Sequence, residues 1–188
     1  FRCLQGVDGT PPDAVVLVLD ATNLARNLYF ALQVLELELP TVVALNMVDA
    51  AREAGIEVQA SALEDCLGVP VVETIGRTGQ GIDALVRALD RARPAPSRAY
   101  EEDDEPEIRP VLAELENAGA SRAQARWLVC SGAADTLELT GASAEQRAAL
   151  TAVGREPCWV AARALIKARY RRVESLLVGV GLADRIDD

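Results

Sequence analysis

Three short β-branched runs, Val15–Asp20, Thr41–Asn46 and Val69–Thr74, each followed by a helical pattern, constrain this chain more than any other feature. Between the first two, Leu24, Leu28, Ala31, Leu35 and Leu39 recur at steps of three and four, the apolar stripe of an amphipathic helix. Ala50–Ala54 reads as a short helix closed by Gly55. Ser61–Leu67 reads as another closed by Gly68, with Ser61 and Glu64 in the spacing of a capping box. Ile82, Leu85, Val86 and Leu89 mark the third crossover helix. Repeated strand–helix units imply an α/β fold with a parallel sheet and right-handed crossovers.

The pattern changes near residue 95. Arg93-Pro94-Ala95-Pro96-Ser97 and the acidic run Glu101-Glu102-Asp103-Asp104-Glu105 read as a connector over residues 96–106. Clustered carboxylates without the glycine turn and spacing of a calcium loop read as a solvated stretch, not a cation site. Residues 107–188 have an all-helical pattern. Ile108, Leu112 and Leu115 start one helix, stopped by Gly119, and Ser121 caps the next, which turns Ala125, Leu128 and Val129 inward with Trp127 nearby. Ser143 and Gln146 form a second capping-box pattern, and Trp159, Ala162, Ile166, Tyr170, Val173 and Leu177 are expected on one buried face of a long final helix. Arg169, Arg171 and Arg172 could instead anchor that helix against another domain or a membrane face.

The chemistry is concentrated at the end of the second strand, where Asn46-Met47-Val48-Asp49 follows an apolar run. In open α/β sheets, ligands sit at the carboxyl ends of strands. An Asp there can accept from the ring N–H and exocyclic amine of guanine, an edge adenine does not offer. An Asn and an Asp at a helix start also serve as caps. The glycines Gly76, Gly79 and Gly81 follow the third strand in the order G-x-x-G-x-G, which is not the dinucleotide order. A tight strand-to-helix turn accounts for them.

The neighbouring residues decide between these readings. Asp20-Ala21-Thr22-Asn23-Leu24, Arg26-Asn27-Leu28-Tyr29, Leu32-Gln33-Val34-Leu35-Glu36-Leu37, Asn46-Met47-Val48-Asp49 and Leu67-Gly68-Val69-Pro70-Val71-Val72 occur in the order found in FeoB-type ferrous iron transporters. The chain resembles their cytosolic G-protein domain from about Pro12 onward, and Ala168-Arg169-Tyr170-Arg171 is similar to the end of the helical domain that follows it. The resemblance implies a partial P-loop-GTPase-like sheet of about three strands over residues 1–95, the linker at 96–106, and a GDI-like helical domain at 107–188. It implies that Asn46 ties the base loops together and touches the purine, while Asp49 accepts from the guanine edge. Met47 stands where most GTPases have Lys, and its thioether can cover the base without the charge. Ile75, Gly76 and Arg77 would form the second base loop, with a backbone N–H near Gly76 donating to the guanine carbonyl. Ile75-Gly76 departs from the family's Ser-Ala.

No Gly-rich loop ending in Gly-Lys-Ser/Thr occurs, because the only lysine is Lys167. The reading is therefore of a segment of a longer protein that starts just after its phosphate-binding half. Alone it is not expected to hydrolyse GTP, and the first strand should have an open edge. GTP or GDP is the implied ligand, with guanine contacts only in this segment and Mg expected only with the other half. The implied partner is the membrane permease portion of the same protein, with a homo-oligomer conceivable, on the cytoplasmic side of a bacterial inner membrane. The alternative is a structural or protein-interaction helical module with a non-binding α/β remnant.

A formal charge of −10 argues against a nucleic-acid surface. No apolar run reaches the ~18 residues of a membrane span. Cys3, Cys66, Cys130 and Cys158 have no C-x-x-C spacing and no His completes a metal set, so they read as buried thiols. No metal ligand or catalytic residue is assigned.

Overall fold

The computed structural model describes residues 3–4, 9–96, 105–133 and 141–182. Most of the acidic connector, residues 97–104, therefore lies outside the described residues, as do Phe1 and Arg2. Strands β1 (Val15–Asp20), β2 (Thr41–Asn46) and β3 (Val71–Thr74) form a parallel sheet in the order β1-β2-β3. The register pairs Asp20 with Asn46 and Asn46 with Thr74, which brings three polar side chains to the same rim.

Burial follows strand position. The first five residues of β2, in the centre, are all buried, whereas β1 alternates. Leu17 and Leu19 enter the core, while Val16 and Val18 on the opposite face are 42% and 58% exposed. Among the described residues β1 pairs only with β2, so its outer edge is open as expected.

Helix α1 (Leu24–Leu35) buries Leu24, Leu28, Ala31 and Leu35 of the stripe seen in the sequence, and ends before Leu39, which is only half-buried. The strand β3 starts at Val71, two residues later than its pattern suggested. Pro70 has no N–H to give a ladder, though its carbonyl still accepts from the Val43 N–H at 2.8 Å. Helix α2 (Val48–Glu53) begins earlier than the Ala50 expected, because Met47 turns the chain with a left-handed φ of 62°. Helix α3 (Ala60–Leu67) begins at Ala60, which places Ser61 inside the first turn, so no capping box forms there. Glu64 is used elsewhere: its carboxylate accepts from the Val71 N–H at 3.0 Å, satisfying a donor at the head of the edge strand. Helix α4 (Ile82–Ala88) follows β3.

The remaining helices are α5 (Arg109–Asn117), α6 (Arg122–Ala133), α7 (Ala144–Val153) and α8 (Arg155–Gly179). Pro110 occupies the first turn of α5, where its missing N–H costs nothing. Ile108, Leu112, Leu115, Ala125, Leu128, Val129, Leu150, Ala161 and Leu165 form one apolar core. Ser121 Oγ accepts from the Gln124 N–H at 3.2 Å, as its position implied.

The capping box at α7 is complete. Ser143 Oγ accepts from the Gln146 N–H at 3.2 Å, and Gln146 Oε1 accepts from the Ser143 N–H at 3.0 Å. Glu145's carboxyl is held below its ordinary pKa by a backbone hydrogen bond and by the Ser143 hydroxyl. Ser143→Ala should cost about 1 kcal/mol of stability, read by urea unfolding. It should also return the Glu145 pKa toward that of a free carboxylate in an NMR titration.

By compactness, the described residues 105–169 group together, and Tyr170 to Leu182 group with the α/β residues. One sequence expectation needs correction, the apolar pattern of α8. Ala162, Val173 and Leu177 are buried as expected, but Trp159, Ile166 and Tyr170 are exposed, and Cys158, Ala161, Leu165, Ala168 and Leu176 take their place inside. Three large side chains at mixed spacing suggested a core stripe. The alanines pack inward because small residues let helices approach closely. Tyr170 instead lies against Tyr29, ring centroids 4.9 Å apart.

The cysteines differ in environment. Cys158 is buried and Cys3 is exposed, the latter against expectation. Burial pushes the Cys158 thiol pKa up. An iodoacetamide time course on native protein should modify Cys3 first and Cys158 only on unfolding. A raised thiol pKa also means that the stability linked to it is present at neutral pH and is lost as pH rises past the unfolded thiol's value.

Candidate nucleotide-base site

Asn46 ends β2, and its side chain joins two loops. Its Oδ1 accepts from the Gly76 N–H at 2.9 Å and from the Thr74 hydroxyl at 3.3 Å. Thr74, buried at the end of β3, also reaches the Leu45 carbonyl. The loop after β3 is thus braced from the end of β2. Thr74 was not singled out in the sequence, and its pairing with Asn46 depends on strand register that local pattern does not reveal.

Met47 is one of two described non-glycine residues with positive φ, the other being Glu38. Such a conformation costs about 1–3 kcal/mol and often marks a functional turn. It leaves the Met47 side chain 41% exposed at the loop surface. The turn starts α2 directly, and Asp49 falls in its first turn. The residue preceding the helix provides no side-chain cap, and Asp49 does not cap it either. Among the described residues the Asp49 carboxylate faces one partner, Arg77, whose Nη2 lies 3.7 Å from Oδ2. Arg77 is mostly exposed, so this pair is held loosely.

The second loop is a tight turn. Ile75 N–H donates to the Gln80 carbonyl, and the Ile75 carbonyl accepts from the N–H groups of Thr78 and Gly79, each at 3.0 Å. Gly79 and Gly81 have φ of 78° and 85°. A Cβ on Gly81 would fall on the Glu73 carbonyl oxygen, whereas one on Gly79 would meet nothing within 4 Å. Turn geometry thus explains these glycines. The structure therefore brings Asn46, Met47, Asp49, Ile75, Gly76 and Arg77 to two adjoining loops at one sheet rim. A backbone N–H near Gly76 is expected to face a ligand carbonyl; that of Gly76 itself is given to Asn46.

At the neighbouring strand end, Asp20 Oδ1 accepts from the Thr22 N–H at 2.8 Å and from the Thr22 hydroxyl at 2.6 Å. Asn27 Oδ1 accepts from the Asp20 N–H at 3.3 Å, and Asn27 Nδ2 donates to the Asn23 carbonyl. These polar residues are used locally to turn β1 into α1. A cavity of about 260 Å³ is lined by Ala21, Val48, Arg52, Gln59 and Glu73 among others. An Arg52–Glu73 ion pair of 2.6 Å lies along it.

Residues 5–89 match the family model described as "Ferrous iron transport protein B". Across that portion the chain is similar to FeoB proteins. Over 79 residues it is 48% identical to the Fe(2+) transporter FeoB of Escherichia coli K12 and equally to that of Salmonella typhimurium LT2, which is 42% of this chain. The chain spans only about 10% of the length of those relatives. Among solved structures, the cytosolic domain of L. pneumophila FeoB superposes with a TM-score of 0.66 at 25% identity, covering 93% of this chain and 70% of that one. NFeoB from S. thermophilus, solved with mGMPPNP bound, gives a TM-score of 0.66 at 28% identity, covering 89% and 67%. The FeoB-type fold thus extends beyond the α/β portion that the family model matches.

Proposed function

We propose that this FeoB-type segment carries the guanine-recognition loops of a nucleotide-binding domain in a bacterial ferrous iron transporter. One observation supports this reading above the others: the Asp49 carboxylate projects from the first turn of α2 without capping it, beside a loop that Asn46 holds in place. Asp49 would accept from the guanine N–H and amine, displacing Arg77. Two hydrogen bonds to a charged group are worth about 1.5–3 kcal/mol each, and adenine would leave them unmade. Because Asn46 already takes the Gly76 N–H, the guanine carbonyl would share that donor or use the next N–H, that of Arg77. Met47 would cover the base plane and Ile75 would hold the loop from beneath. Binding of GDP and of a GMPPNP derivative by the solved NFeoB relatives supports the same ligand class.

The helical unit would couple nucleotide state to the permease portion of the same protein at the cytoplasmic face of the inner membrane. Allosteric coupling of this kind is a free-energy difference between states and is measurable as such. Among the described residues no helix is long and apolar enough to cross a membrane. Phosphate and Mg contacts would come from a Gly-Lys-Ser/Thr loop absent from this sequence.

The reading is tested by titrating a fluorescent GDP analogue into the chain fused to a P-loop-containing half from a FeoB relative, with unlabelled GDP and ADP as competitors. Displacement by GDP and not by ADP is the expected result. Equal displacement, or no binding, would show a structural module with a non-binding sheet.

A further inference from the structure

Helix α8 has an unusual charge for this protein. The chain carries −10 overall, yet α8 contains Arg155, Arg163, Lys167, Arg169, Arg171 and Arg172 against only Glu156 and Glu174. Within the helical unit, the outward face of α8 presents Trp159 at 49% exposure, Val160 at 44% and Ile166 at 38%. Arg163 and Lys167, the chain's only lysine, are exposed on the same arc. Neither forms an ion pair with another described residue. Exposed indole and aliphatic groups interleaved with unpaired cations are poorly suited to plain water. They suit an interface where apolar atoms enter an acyl boundary while Arg and Lys stems reach phosphates.

We propose that the outward face of α8, centred on Trp159, Arg163, Ile166 and Lys167, docks on an anionic phospholipid surface. Charge complementarity selects this occupant. An acidic chain is repelled by anionic lipid as a whole, so only a locally basic face can bring it there. A second copy of the acidic chain also carries negative charge, so the test includes the chain's own dimer as a contrary outcome. The contact is peripheral, because α8 lacks an apolar stretch long enough to span. The inference uses only surface chemistry and does not depend on guanine binding.

The test is sedimentation of the full chain with vesicles of phosphatidylglycerol and phosphatidylcholine, against phosphatidylcholine alone, at low and high salt. A Trp127→Phe background leaves Trp159 as sole tryptophan reporter. Binding to the anionic vesicles, a blue shift of Trp159 emission and weakening by salt are expected. The paired charge reversals Arg163→Glu and Lys167→Glu should reduce the binding at least about tenfold, with the circular dichroism and melting curve unchanged. Trp159→Ala should weaken binding in both low and high salt. Equal partition onto neutral and anionic vesicles, no partition at all, or loss of a chain dimer in Trp159→Ala instead would overturn the proposal. GDP titration of the charge-reversed variant within the P-loop fusion separates the readings, since base binding should persist there whichever way the vesicle result falls.

Discussion

Asp49→Asn should reduce GDP affinity by about 100-fold or more, measured by fluorescent nucleotide titration of the P-loop fusion, while melting changes little. The estimate follows from two lost charged hydrogen bonds at about 1.5–3 kcal/mol each, partly offset by what the amide can still make. The substitution should also change ligand preference. An Asn amide can donate to the carbonyl that xanthine carries where guanine has its amine, so xanthosine diphosphate should gain as GDP loses. Stability should hold because Asp49 makes no cap and its ion pair with Arg77 is exposed. A variant that unfolds would mean that the carboxylate holds the loop rather than reading a base.

Gly81→Ala should be the most damaging single-methyl change in the turn that follows β3. The left-handed φ of 85° and the Glu73 carbonyl oxygen in the path of a Cβ act together. Backbone strain costs about 1–3 kcal/mol and overpacking a similar amount, so a loss of about 2–6 kcal/mol is expected by urea unfolding. Gly79→Ala is the matched control. It has a similar φ of 78° but open space around its Cβ position, so only the conformational term applies. Its cost should be about 1–2 kcal/mol. Equal effects would show that the crowding at Glu73 is relieved by movement of the turn.

The α/β repeat was legible because each strand is short, β-branched and followed by helix periodicity, and both β1 and β2 have the limits expected. Boundaries failed where a non-local need prevailed. Glu64 satisfies the Val71 N–H instead of completing a box with Ser61, and nothing within α3 announces that demand. Met47 is a poor candidate for left-handed backbone on side-chain grounds. Its conformation is imposed by passing directly from β2 into α2. On the site, the residue types of Asn46 and Asp49 carried the signal, whereas the brace by Thr74 required the β2–β3 register. The face of α8 was misassigned because size was taken as the guide to burial. Ala161, Ala162 and Ala168 are inside, and Trp159 and Tyr170 are outside.

The most direct measurement is an NMR titration of the P-loop fusion, labelled in backbone nitrogen and in the side-chain carboxyl carbons of Asp, with GDP and then ADP. With GDP, the Asp49 carboxyl resonance and the Gly76 and Arg77 amides should move together and saturate at one concentration, and ADP should leave Asp49 where it was. Saturable GDP binding that leaves the Asp49 signal unmoved would contradict the assignment of this carboxylate as the reader of the base.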